Sequence, residues 1–198
     1  MDGDSPDIAG LFAVADRHEA MVVIDEAHAT GVLGPQGRGL AAPFEGRDNV
    51  ITLHTCGKAL GTVGGFILAP RIIRDFLVNR ARPFIFATAP SPLTAAITRS
   101  AVEISRTNPE RRERLAGLVQ FAGDELRRRC GIAPSGSQII PVIIGADRAA
   151  VAVAASLQQR GFDIRAIRPP TVPEGTARLR IALTLNVDEA TVAGLFEA

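Results

Sequence analysis

Three short apolar runs, at 21–24, 50–53 and 65–69, constrain this chain's fold more than any other feature. Runs of four or five residues that are apolar without strict alternation fit strands covered on both faces, as in a parallel sheet between helices. Helical spacing fills the gaps. Ser5-Pro6 reads as a cap followed by a first helical residue, and Ile8, Leu11, Phe12 and Ala15 then recur on one face, which predicts a helix over 6–18. Pro70 opens a helix over 71–80 and Pro92 one to about 106, with Phe84-Ile85-Phe86 as a further short strand between them. Asn108-Pro109 starts a long helix with Leu115, Leu118, Val119, Ala122 and Leu126 on one side, ended by Gly131. Strands at 138–144, 162–167 and 177–184 and helices at 148–160 and 188–197 complete the pattern.

The alternation makes the fold class α/β over 1–107, with a mostly parallel sheet, and a smaller α+β unit over 108–198. A first sheet of only three or four strands is thin for that class and leaves an apolar edge open. Composition excludes several partners. A net charge of +1 gives no attraction to nucleic acid or to a membrane surface, and the aromatics are all phenylalanine, so platforms for base stacking are scarce. No apolar run approaches the ~18 residues of a membrane span. The acidic start, Met1-Asp2-Gly3-Asp4, is no secretory leader. Two cysteines without metal-type spacing imply neither a disulfide framework nor a metal site, and the chain reads as cytoplasmic.

Chemistry concentrates in two places. Lys58 follows the second apolar run in a stretch with glycines at 57, 61, 64 and 65, where the backbone can turn sharply and approach a bulky ligand. A lysine in a tight, partly desolvated turn has a lowered pKa and can form a Schiff base. Thr55, three residues earlier, offers a hydroxyl to a phosphate. Asp25 ends the first run, the usual position of ligand-contacting groups in open α/β sheets, and His28 follows it. A protonated pyridine nitrogen would give a buried carboxylate its cationic partner; a turn-capping aspartate and a backbone-satisfied histidine are the plainer alternative. Val23-Ile24-Asp25-Glu26-Ala27-His28 also spells the carboxylate motif of certain nucleotide hydrolases, but no G-x-x-x-x-G-K-[ST] loop precedes it. On the last strand Arg178 and Arg180 alternate with Leu179, Ile181 and Leu183, so either arginine could fork onto a carboxylate or serve as a surface ion-pair residue. Arg168 and Thr171 border the Pro169-Pro170 turn. His18, His54 and Cys56 read as structural.

Together these segments resemble the α-oxoamine synthase family of pyridoxal-phosphate enzymes. The resemblance rests on residues 23–39 (VIDEAHATGVLGPQGRG), 55–61 (TCGKALG) with Gly64-Gly65, 82–88 (RPFIFAT), 137–144 (SQIIPVII) and 168–180 (RPPTVPEGTARLR). It implies the fold of part of an aspartate-aminotransferase-like large domain plus the small carboxyl-terminal domain. It further implies that Lys58 carries pyridoxal 5'-phosphate, that Asp25 holds its ring nitrogen and His28 its phenolic oxygen, and that Thr55 binds the phosphate, with Thr88 reaching it from the partner subunit of a homodimer. Arg180 would pair with the amino-acid carboxylate, with Thr171 and Arg168 near it. The implied reaction is decarboxylative condensation of L-alanine with pimeloyl-CoA or pimeloyl-acyl carrier protein, a step of biotin synthesis. A glycine-using sibling similar to glycine C-acetyltransferase is one alternative. Another is a non-catalytic remnant that pairs with a full-length subunit. The resemblance also implies a further chain-half before Met1, through a late-placed gene start or a real truncation, and therefore impaired cofactor binding and turnover.

Overall fold

A computed structural model describes all 198 residues, in two compact units: Pro6–Arg112, and Glu113–Ala198 together with Met1–Ser5. In the first unit, helix α1 (Ile8–Arg17) is followed by strands β1 (Val22–Asp25), β2 (Val50–Thr55) and β3 (Gly65–Leu68), then helices α2 (Arg71–Arg80), α3 (Arg82–Ile85) and α4 (Pro92–Thr107). The class is α/β and the sheet is mixed. β1 runs parallel to β2, in register from Val22↔Val50 to Asp25↔Leu53, and β3 returns antiparallel, with Thr55 opposite Gly65.

The start of α1 lies later than Ser5-Pro6 suggests. Asp7 is the cap, its carboxylate accepting the Gly10 N–H at 3.0 Å, because an aspartate side chain satisfies a free donor of the first turn as well as serine does. The helix packs Phe12 and Ala15 onto Val22 and Val50, and the Phe44 ring stacks on Phe12 at 3.9 Å. Only this face of the sheet is covered within the unit. Val23, in the run expected to be enclosed on both sides, is 69% exposed, and Leu53 and Ile67 beside it are exposed too. Helices α2, α3 and α4 bury no residue at all. Their apolar side chains, Ile72, Phe76, Phe84 and Leu93 among them, stand in solvent.

The strand expected at Phe84-Ile85-Phe86 is instead the single turn α3. Pro83 occupies its first turn, where its fixed φ favours helix, and the N–H groups of Phe84 and Ile85 both donate to the Ala81 carbonyl at 2.9 Å.

The second unit contains helix α5 (Pro109–Cys130), which begins shortly before the division, then strand β4 (Ile139–Gly145), helix α6 (Asp147–Gln159), strands β5 (Arg165–Ile167) and β6 (Ala177–Ala182), and helix α7 (Glu189–Glu197). Its sheet has the order β4-β6-β5 and is antiparallel throughout. Pro141 sits in the edge strand β4, where a missing donor costs least. Leu118, Ala122 and Leu126 of α5 meet Ile140, Leu179, Ile181 and Val192 in one core. No helix of the chain is long and apolar enough to cross a membrane.

Leu126 is fully buried in that core. Leu126→Ala is expected to destabilise this unit by about 2–5 kcal/mol through lost transfer energy and the cavity left behind. Denaturant unfolding of the full chain should show the loss as an earlier midpoint of the transition assigned to Glu113–Ala198.

Candidate active site

The parallel register of β1 and β2 places two sequence-predicted residues on one face at the carboxyl ends of adjacent strands. Asp25 lies opposite Leu53, and Thr55 is two residues further along β2 and so on the same side. Asp25 is exposed rather than buried, so no enclosed partner is required for its charge. Its Oδ1 accepts the Ala27 N–H at 2.9 Å, which turns the chain and leaves Oδ2 for another donor. His28 follows in this turn, exposed.

Lys58 occupies the loop that joins β2 to β3. The Cys56 N–H donates to the Gly64 carbonyl at 2.9 Å, the Thr62 N–H to the Cys56 carbonyl at 2.9 Å and the Gly61 N–H to the Lys58 carbonyl at 3.0 Å. Gly61 and Gly64 take positive φ values of 64° and 94°, so this closed loop is one that residues with a Cβ would strain. Lys58 itself is exposed, whereas the sequence suggested partial desolvation. Among the 22 lysines and arginines of the chain Lys58 is the single lysine. That count is a signal in plain view, because every other position that uses a long cation uses arginine. Thr88 lies in the extended segment between α3 and α4 and is exposed.

In the second unit the two arginines of β6 part company. Arg178 is 6% exposed and fully engaged: its guanidinium binds the Asp2 carboxylate, and it donates to the Thr176 carbonyl and hydroxyl at 3.0 Å each. Arg180, opposite Arg165 and Pro141, is half-buried, and its Nε is buried without a hydrogen-bond partner. An orphaned guanidinium N–H is unusual enough to mark a place for an anion. Arg168 follows β5 and Thr171 donates its N–H to the Arg168 carbonyl at 3.0 Å; both side chains are exposed.

Sequence reasoning passed over a buried polar cluster behind the Asp25 turn. Glu26, 3% exposed, accepts the Ala41 N–H on Oε1 at 2.6 Å. Gly39 packs so closely on this carboxylate that a Cβ there would lie 2.5 Å from it. His54, also 3% exposed, contacts the hydroxyls of Thr30 at 2.9 Å and Thr52 at 3.1 Å and stacks on Phe66 at 5.2 Å. Burial lowers the His54 pKa, against the opposing pull of the Glu26, Glu45 and Asp25 carboxylates.

With the geometry in place, its kinship is clear: the chain belongs to the aminotransferase class I and II family, whose sequence profile matches residues 1–198. Within it the chain is 45% identical over 200 residues to the 8-amino-7-oxononanoate synthase of Anaeromyxobacter dehalogenans strain 2CP-C, covering 100% of this chain and 50% of that one. It is 44% identical to the enzyme of the same name from Gluconacetobacter diazotrophicus, with the same coverage. Among solved structures, the serine palmitoyltransferase of Sphingomonas wittichii superposes with a TM-score of 0.90 at 29% identity, over 100% of this chain and 51% of that one. The 8-amino-7-oxononanoate synthase of Francisella tularensis shares the fold, with a TM-score of 0.81. The chain thus spans about half the length of the curated relatives it matches.

The lowered pKa of His54 has a consequence for stability. Below pH 6.5 the unfolded chain takes up this proton before the folded one does, so stability is complete above 6.5 and falls as pH drops toward the lower folded value. The pH dependence of the unfolding free energy between 6.5 and 4.5 is expected to be shallower in His54→Asn than in the parent chain. Stability lost through the depressed carboxyls Glu103 and Glu125 appears only below their ordinary value of 4.5.

Proposed function

We propose that this chain carries the lysine side of a pyridoxal-phosphate site and, with it, the acyltransferase chemistry of its relatives. That chemistry is the decarboxylative condensation of L-alanine with pimeloyl-CoA or pimeloyl-acyl carrier protein. The observation that carries the proposal is that the chain's single lysine stands in the glycine-turned loop just beyond β2, the strand whose end shares a sheet face with Asp25. The residues present suit the cofactor. Lys58 is exposed and carries the chain's one side-chain amino group, Asp25 keeps one carboxylate oxygen open, and Thr55 has a hydroxyl at the same end of the sheet. Pyridoxal phosphate, where it is bound, supplies an electron sink for the carbanion formed at the amino acid's α-carbon.

In this reading the Lys58 amine would hold the cofactor through its aldehyde and would serve as base and acid for the amino acid's α-proton. Asp25 would accept from the ring nitrogen and favour its protonated form, and His28 would be the partner of the phenolic oxygen. Thr55 and, from a second copy of the chain, Thr88 hold the phosphate. Arg180 forks onto the amino-acid carboxylate with the guanidinium edge that has no internal partner, and Thr171 and Arg168 border that substrate. Because Lys58 and Asp25 both face water, screening weakens the charge contacts, and the isolated chain should hold the cofactor loosely.

Borohydride reduction after incubation with pyridoxal phosphate tests this without any turnover. A pyridoxyl adduct is expected on the peptide containing Lys58 and is lost in Lys58→Ala; an adduct confined to the terminal amine would defeat the proposal. Asp25→Ala should lower the labelled fraction about tenfold or more, since it removes a charge-assisted bond, and His28→Ala should cost far less. Supplying alanine or glycine with several acyl thioesters then separates the proposed substrates.

A further inference from the structure

His54 lies beside a cavity of about 250 Å³ lined by Leu60, Phe66, Leu68, Val102 and Ser105, so packing closes only part of its surroundings. Besides the stack on Phe66, two hydroxyl contacts hold the ring. The Thr30 hydroxyl donates its one proton to the Glu26 carbonyl at 2.7 Å, an oxygen that can only accept. The Thr30 oxygen is then the acceptor in its 2.9 Å contact with Nδ1, which assigns the imidazole proton to Nδ1. Nε2, without a proton, accepts from the Thr52 hydroxyl at 3.1 Å.

The Glu26 carbonyl also receives the Thr30 N–H at 2.8 Å and the Ala29 N–H at 3.0 Å, so Thr30 closes the turn that begins at Asp25 and contains His28. His54 is the residue before Thr55 on β2 and stands shortly before the Lys58 loop. One ring therefore joins the carboxylate-bearing turn to β2, the strand that leads into the Lys58 loop.

We propose that His54 is a positioning residue of the cofactor site, a neutral ring with its proton on Nδ1 that locks the Asp25–Thr30 turn against β2. The assignment builds on the pyridoxal-phosphate reading, but its geometry stands apart from it. The charged groups around the ring are the carboxylates of Glu26, Glu45 and Asp25 and, on the cavity wall, Arg38 and Arg106. Arg38 is bound to Glu45 and Arg106 to Glu103. Both arginines on the cavity wall are thus paired with carboxylates, and the ring's polar partners are the two hydroxyls.

Two substitutions separate positioning from packing. His54→Phe keeps the ring and the Phe66 stack but loses both hydrogen bonds. His54→Asn loses the stack but returns an N–H donor near the place of Nδ1. Positioning predicts that His54→Phe speeds amide exchange at Ala29 and Thr30 about tenfold and weakens pyridoxal-phosphate labelling of Lys58 by about fivefold or more, with His54→Asn within about twofold of the parent on both. Packing predicts the reverse order, and that result would overturn the proposal, as would histidine nitrogen NMR of the parent chain showing the proton on Nε2. Should His54→Phe not fold, Thr30→Val, which removes the acceptor oxygen at nearly constant shape, must reproduce the faster exchange. If the parent chain takes no label at Lys58, the cofactor reading fails while the exchange order still decides the role of His54.

Discussion

The parallel pairing of β1 with β2 is the constraint on which the candidate site depends. It brings the carboxyl ends of both strands to one edge of the sheet, and the Glu26 N–H extends the ladder one step further by donating to the Leu53 carbonyl at 2.8 Å. Strand sidedness does the rest. With a period of two, fixing Asp25 opposite Leu53 fixes Thr55 on Asp25's face and sends Thr52 and His54 to the other. A slip of one residue would exchange the two sets, burying Thr55 and exposing His54.

The two faces consequently do different work. The rear face holds the α1 core and the Thr30–His54–Thr52 cluster, where each buried polar group meets a partner. The front face combines Asp25 and Thr55 with exposed Val23, Leu53 and Ile67. The polar groups at this end of the sheet are therefore framed by exposed apolar side chains.

How far the sequence disclosed this depends on the range of the interactions involved. Local chemistry was legible: Pro70 before α2, Asn108-Pro109 at the start of α5 and Gly131 after its end all mark boundaries through their own backbone preferences. Where two local signals competed, the pattern misled. Phe84-Ile85-Phe86 has the composition of a strand, yet Pro83 and the Ala81 carbonyl settle it as a helical turn with no neighbouring strand to pair. The placement of Asp25 at a strand end and of Lys58 in a glycine-rich loop was legible because apolar runs and glycines act through local backbone preferences. His54 was not, since its decisive partner, Thr30, is 24 residues away and nothing in the spacing of the two shows that a parallel pair of strands brings them together. Arg178 and Arg180 were equivalent by alternation, and only the folded sheet gave the first a partner in Asp2 while leaving a donor of the second unmatched.

The distribution of cations carries the argument one step further. Every ion pair in the structure that draws on a long basic side chain draws on arginine, from Arg38 with Glu45 to Arg129 with Glu197. Arginine suits that work because its guanidinium stays protonated and binds carboxylates with a planar fork, and for the same reasons it is a poor nucleophile toward a carbonyl. An ammonium gives up its proton far more readily, and the freed amine attacks aldehydes. A chain that keeps this one group for the loop after β2 carries its single side-chain amine there, so that loop is already set apart in composition before any geometry is considered.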